Sequence, residues 1–290
     1  MIYVLITPAR NEAAFIELTI KSMIAQTHKP LQWIIVSDGS TDGTDDIVKD
    51  YIRSYPWIEL LRKHERPERN FAGKVFAFNA GYDRVKAAKY DIIGNLDADI
   101  TFDEDYMEFL LHRFVENPQL GVAGTPFRED NQQYDYRFAS TDHVSGACQL
   151  FRRECFEAIG GYTPLKAGGI DLAAVLTARM KGWQARTFTE KTSIHHKKTQ
   201  TGNHASLKAL FHSGYHDYIM GSHPLWQVSR SIYHMSKKPY LLVGASLLTG
   251  YIWAMIARAE RTVPPELAAF RGKDQMRRLK NMVLKYFESN

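Results

Sequence analysis

Tyr90-Asp91-Ile92-Ile93-Gly94-Asn95-Leu96-Asp97-Ala98-Asp99 is the stretch on which the reading of this chain turns. Its first half is a run of strand-forming residues. Its second half sets two carboxylates at i and i+2 directly beyond the strand. Carboxylates at the end of a buried strand face an open cleft rather than apolar neighbours. Oxygen ligands of that kind suit a hard divalent cation such as Mg²⁺ or Mn²⁺. Such a cation binds a diphosphate and neutralises the charge that builds on it as a leaving group. An isolated D-x-D is more often an acidic turn, so the weight comes from the residues around it.

Upstream, Ile2 to Thr7 is an apolar run stopped by Pro8, which predicts a buried strand. Phe15, Ile16, Leu18, Ile20, Met23 and Ile24 predict a helix after it. Leu31 to Ser37 reads as a second strand, closed by Asp38-Gly39-Ser40-Thr41-Asp42-Gly43. A helix over 44–55, a strand over 58–61, a polar loop over 63–72 and a helix over 74–88 lead to the D-x-D. Strands alternating with helices over short connections mean an α/β fold, a mostly parallel sheet covered on both faces. Ligands of open sheets bind at the carboxyl ends of the strands. Three polar clusters, 8–12, 38–42 and 97–99, fall at such ends and define one site.

Downstream, the spacing predicts a helix over 106–115, a strand over 121–127, a polar loop to Ala139, a strand over 145–152 and a short helix over 154–159. The loop Lys166-Ala167-Gly168-Gly169-Ile170-Asp171 opens a helix over 172–181. A strand over 191–194 precedes His195 and His196. Residues 1–202 are expected to form one domain and 203–290 a helical C-terminal region. In the latter, Tyr240 to Ala257 is uncharged, between Lys237-Lys238 and Arg258. Eighteen such residues are near the lower limit for spanning a bilayer, and basic residues lie on both sides. The expected arrangement is a helix lying in, or dipping into, an anionic membrane interface; a buried helix of the C-terminal region is the competing one.

Composition narrows the classes. The 290 residues are 44% hydrophobic and 24% charged, as in ordinary globular proteins. A net charge of +5 and a pI near 9.0 fit anionic substrates or an anionic membrane surface, and argue no nucleic-acid partner. Two cysteines, Cys148 and Cys155, provide neither a disulfide framework nor metal-site spacing, which points to a cytoplasmic location. The amino terminus has no basic segment and runs directly into the first strand, so no signal peptide is expected. Proline in place of glycine after that strand excludes a dinucleotide-dependent oxidoreductase. A nucleotidylyltransferase would want a glycine-rich basic loop there, also absent.

TPARNE at 7–12, VSDGSTDGT at 36–44, GKVFAFNAG at 73–81, NLDADI at 95–100 and FRRECFEAIGGY at 151–162, in this order, resemble the family 2 glycosyltransferases. The resemblance covers roughly residues 2–200. It implies the GT-A fold, that of the nucleotide-diphospho-sugar transferases, and an inverting enzyme. It also implies a nucleotide-sugar donor, expected to be UDP-linked, held by Thr7, Pro8, Glu12, Asp38, Lys74 and Asp97. By the same resemblance Asp99 ligates Mn²⁺ or Mg²⁺, with a contribution from His195 or His196. The family's usual Glu-Asp pair aligns with Ile170-Asp171, so a carboxylate is replaced at 170 while Asp171 is kept as the general base. Its plain alternative role is to cap the helix. The acceptor implied is a lipid-linked saccharide or polyprenyl phosphate in surface-polysaccharide assembly, on the inner face of the cell membrane. The replacement at 170 leaves one rival, a non-catalytic nucleotide-sugar-binding or scaffold subunit of a polysaccharide assembly complex.

Overall fold

The structure, a computed structural model, describes residues 1–64, 71–129, 140–197, 206–236, 238 and 240–288. It divides into two compact units, Met1–Lys198 and Thr199–Asn290.

The first unit begins with β1 (Tyr3–Ala9), α1 (Ile16–Ala25), β2 (Gln32–Asp38), α2 (Thr44–Ile52), β3 (Ile58–Lys63), α3 (Ala72–Val85) and β4 (Ile92–Leu96). It continues with β5 (Ile100–Thr101), α4 (Tyr106–Glu116), β6 (Leu120–Gly124), β7 (Phe127–Arg128) and β8 (Cys148–Arg152). It closes with α5 (Arg153–Ile159), α6 (Ile170–Met180), β9 (Gln184–Thr187) and β10 (Ser193–His195). Among the described residues the strands build a seven-stranded sheet, β3-β2-β1-β4-β8-β6-β9, and a small sheet, β5-β10-β7. The pairs from β3 to β4 are parallel, and β8 runs antiparallel to both β4 and β6. The mostly parallel α/β sheet expected from the sequence is therefore present, with one reversed strand.

Alternation along β1 and β2 sends residues to opposite helical layers. Leu5, Trp33 and Ile35 pack in one core cluster with Ile16, Ile20 and Met23 of α1. On the other face Gly81 of α3 rides directly on Ile6 and Val36, where a Cβ would lie 2.7 Å from Ile6. The sheet is thereby buried on both faces, which is why its strands read as continuous apolar runs.

Two expectations shift at strand ends. The predicted strand over 121–127 is interrupted at Thr125-Pro126, since proline cannot donate to a ladder. The strand expected from Ser145 begins at Cys148, because Gly146 N–H donates to a side chain instead (3.2 Å to Asp171). Part of the polar loop before α3, and 130–139, lie outside the described residues.

The second unit contains α7 (Leu207–Ile219), α8 (Pro224–Met235), α9 (Leu242–Ile256) and α10 (Pro265–Glu288). Its helices meet backbone to backbone at glycines. A Cβ at Gly250 of α9 would lie 2.0 Å from the Phe211 carbonyl, one at Gly214 of α7 1.9 Å from that of Leu247, and one at Gly244 2.1 Å from that of Ser231. Small residues permit this approach. Among the described residues no helix is long and apolar enough to cross a membrane. α9 buries Leu247, Tyr251 and Ala254 and leaves Leu242, Ile252, Trp253 and Ile256 exposed. Gly250→Ala forces α7 and α9 apart and is expected to cost about 1–3 kcal/mol of stability in chemical denaturation, whereas Thr249→Ala on the exposed side should stay within about 0.5 kcal/mol.

Candidate active site

At the carboxyl ends of β1, β2 and β4 lies a cleft of about 640 Å³, lined by Pro8, Arg10, Glu12, Asp38, Phe71, Lys74, Asp97, Asp99 and Lys166 among others. That is the size of a pocket for a nucleotide-sized ligand. Two loops from distant sequence form one wall by stitching themselves together. Asn11, in the left-handed region at φ 56°, donates its N–H to Ser40 Oγ, and its side-chain oxygen accepts from Thr41 N–H. Glu12 N–H donates to Thr44 Oγ1, and Asp42 accepts from Ala13 N–H and Thr44 N–H. Asp42 is thereby spent on holding the start of α2, and buried Asp38, with Arg10 Nη1 at 3.9 Å, is left in the cleft.

The D-x-D carboxylates take different partners. Asp97 Oδ1 accepts from Lys74 Nζ at 2.5 Å and from Asn95 Nδ2 at 3.2 Å. Burial lifts the Asp97 carboxyl above its usual range; the Lys74 charge opposes this and Asp99 adds to it. Asp99 Oδ2 lies 3.2 Å from His195 Nε2, and Glu129 Oε1 lies 2.8 Å from the ring's Nδ1. Burial alone would lower the His195 pKa, but the hydrogen bonds and charges of Asp99 and Glu129 outweigh it and raise it. Glu12 is also pushed up, first by burial, with Lys197 opposing and both D-x-D aspartates contributing. Its Oε1 is 2.6 Å from Lys197 Nζ while its Oε2 is buried without a partner among the described residues.

Asp171 reaches the same place through the backbone. It stands in the first turn of α6, which opens after Gly169 at φ 81°, so it is not the residue that caps the helix. Its Oδ2 accepts from Gly146 N–H at 3.2 Å, and the Gly146 carbonyl accepts from Asn95 Nδ2 at 2.6 Å. One asparagine thus ties the base candidate to the D-x-D. Ile170, where the resemblance leads one to expect glutamate, is buried.

The geometry also places Thr7 and the two histidines. Thr7 is fully buried and its hydroxyl accepts from the Trp33 indole at 2.8 Å, which takes it out of the cleft. His196 is turned to the Thr101 hydroxyl at 2.9 Å and stacks on Phe15, so the residue facing Asp99 is His195. Asn95, Glu129 and Lys197 escaped the sequence reading. Asn95 stood inside the decisive stretch, and its polarity at a buried strand position was the available signal.

Whether these groups suit a divalent cation is decided by the donor set. Asp99 offers the carboxylate oxygen that suits Mg²⁺ or Mn²⁺, His195 a nitrogen beside it, and Glu12 a buried oxygen that accepts no hydrogen bond among the described residues. Among the described residues no group of three or more His, Cys, Asp or Glu is placed to hold a metal ion. Asp99 and His195 supply two donors, so an ion held here would take the rest of its coordination from its ligand and water.

The sequence model of glycosyl transferase family 2 matches residues 4–168, more than half of the chain. Poly-beta-1,6-N-acetyl-D-glucosamine synthase of Staphylococcus epidermidis is 32% identical over 117 residues, 40% of this chain and 26% of the synthase. The chain thus spans about a quarter of the length of that curated relative. Among solved structures, mannosyltransferase PcManGT from Pyrobaculum calidifontis in complex with GDP-Man and Mn²⁺ superposes with a TM-score of 0.59 at 20% identity, covering 92% of this chain and 77% of that one. S. aureus TarS, residues 1–349, in complex with UDP-GlcNAc gives 0.54 at 14% identity, covering 93% and 78%. The fold is that of the GT-A glycosyltransferases. The chain belongs to glycosyl transferase family 2.

Asn95→Asp keeps the side chain's shape, removes both donors and sets another carboxylate beside Asp97. It is expected to cost about 1–3 kcal/mol in chemical denaturation; a loss under about 0.5 kcal/mol would show that the bridge to Gly146 bears no weight.

Proposed function

We propose that this glycosyltransferase moves a sugar from a UDP-linked donor, with inversion at the anomeric carbon, onto a lipid-linked saccharide or polyprenyl phosphate during surface-polysaccharide assembly. The observation that carries the reading is the convergence of Asp38, Asp97, Asp99 and, through Gly146, Asp171 on one strand-end cleft. UDP is favoured over GDP by the UDP-GlcNAc bound in TarS; the GDP-Man complex of PcManGT makes GDP-sugars the necessary control.

In this reading Asp38 accepts an N–H of the base or a ribose hydroxyl, with Pro8 forming the adjoining wall and Glu12 supplying negative charge beside the D-x-D. Asp97 binds ribose or metal, and Lys74, already at its carboxylate, lies where it can turn to a phosphate oxygen. Asp99 and His195 would hold Mn²⁺ or Mg²⁺, which when bound neutralises charge on the departing diphosphate. Asp171 takes the acceptor hydroxyl's proton as that oxygen bonds to the anomeric carbon; the bond to the diphosphate breaks and its electron pair leaves with the nucleotide. With Mn²⁺ and a panel of UDP- and GDP-sugars, Asp171→Asn should lower the rate of sugar transfer about 10²–10⁴-fold while leaving UDP affinity within about twofold. Equal transfer by both proteins would remove Asp171 as the base.

The membrane part of the proposal is an anionic, cytoplasmic-face surface bound by α9. Leu242, Ile252, Trp253 and Ile256 make its outward side apolar, no charged residue lies between 240 and 257, and Lys238, Arg258 and Arg261 flank it. Two copies meeting on this face would set cation against cation in either orientation, whereas anionic headgroups satisfy both ends. Free, buried Cys148 and Cys155 accord with a reducing compartment. In flotation with phosphatidylglycerol-containing vesicles, Trp253→Glu/Ile256→Glu should release the protein to the bottom fraction; undiminished flotation would contradict this surface.

A further inference from the structure

The small sheet has one chemical consequence beyond its three strands. β7 runs parallel to β10 with Ile194 opposite Arg128, so the next residues along, His195 and Glu129, are neighbours by register. β10 runs antiparallel to β5 with His195 opposite Ile100 and the His196 N–H donating to the Asp99 carbonyl at 2.9 Å, and from this frame the His195 ring reaches the Asp99 carboxylate. Three groups from three segments therefore stand in line: Glu129 Oε1 at 2.8 Å from Nδ1, and Asp99 Oδ2 at 3.2 Å from Nε2. Their side chains are 13%, 10% and 9% exposed for Glu129, His195 and Asp99.

A neutral imidazole has one N–H and one lone pair, and the hydrogen bond made by one nitrogen decides what the other can do. A carboxylate behind a ligating histidine fixes its tautomer and orientation and makes the ring a better donor to a metal. We propose that Glu129 is a positioning residue: it accepts Nδ1–H of His195 and so directs the Nε2 lone pair to the divalent cation shared with Asp99. This rests on the reading of His195 and Asp99 as the ion's protein ligands. A glutamate serving only to pair with the ring would stabilise the small sheet and leave the ion indifferent to it. Glu129 touches neither donor sugar nor diphosphate in this assignment and acts through the ring alone.

Mn²⁺ titrated onto UDP-saturated protein, with free Mn²⁺ read by electron paramagnetic resonance, separates the possibilities. Glu129→Ala is expected to weaken Mn²⁺ about 10–100-fold, Glu129→Gln less because it keeps an acceptor oxygen, and the Glu129→Ala/His195→Ala double variant no more than His195→Ala alone. In metal-free protein at a pH where the ring is neutral, ¹H–¹⁵N spectra should show His195 as the Nδ1–H tautomer in the wild type and lose that preference in Glu129→Ala. If Glu129→Ala binds Mn²⁺ like the wild type while His195→Ala does not, the positioning role is overturned and the ligand reading stands. If His195→Ala also binds like the wild type, both fall. Additive losses in the double variant would show Glu129 acting independently of the ring and overturn the proposal too.

Discussion

Asp97 and Asp99 put two negative charges one residue apart at the mouth of a fully buried strand, and much of the surrounding structure is occupied with cancelling them. Lys74 comes from α3 to Asp97, His195 from the small sheet to Asp99, and Lys197 to Glu12 on the facing loop. Burial of carboxylates is costly unless each is paired. Even so, burial leaves the Asp97 and Glu12 carboxyls above their usual range, and one Glu12 oxygen has no partner among the described residues. The cleft thus keeps a buried carboxylate oxygen with no hydrogen bond among the described residues, next to the D-x-D.

The reversed strand matters as much as the parallel ones. β8 pairs with β4 so that Leu96 stands opposite Cys148. This register carries the Gly146 peptide past the D-x-D, where its carbonyl meets Asn95 and its N–H meets Asp171. A glycine suits the position, since a Cβ there would press on Asp171 at 3.1 Å. In the proposed chemistry this peptide fixes the separation between the base and the leaving group. Orientation of that kind is worth more than any single contact.

The sheet and its strand-end clusters were legible because apolar runs, proline stops and acidic turns are local signals. Asp38, Asp97 and Asp99 could be placed at one edge from the βα alternation alone. Thr7 could not be judged, since its burial follows from the Trp33 indole lying one strand away, a tertiary fact. The choice between His195 and His196 was likewise beyond sequence: the ladder sets His196 opposite Asp99, yet its ring turns to Thr101 and the His195 ring reaches the carboxylate, which only the side-chain positions reveal. Glu129 carried no signal, as it lies 66 residues from the ring it bonds. The uncharged run from Tyr240 satisfied two readings at once, because one side of α9 packs through glycines while the other stays apolar and exposed.

The central claim is that one divalent ion and one nucleotide diphosphate complete the charge balance between Asp38 and Asp99. A crystal of the protein soaked with UDP and Mn²⁺, with diffraction collected at the manganese edge, tests it most directly. The account predicts a single anomalous peak in contact with Asp99, His195 and the diphosphate, with the uracil and ribose beside Asp38. UDP bound outside this cleft, or a peak that touches neither Asp99 nor His195, would contradict it.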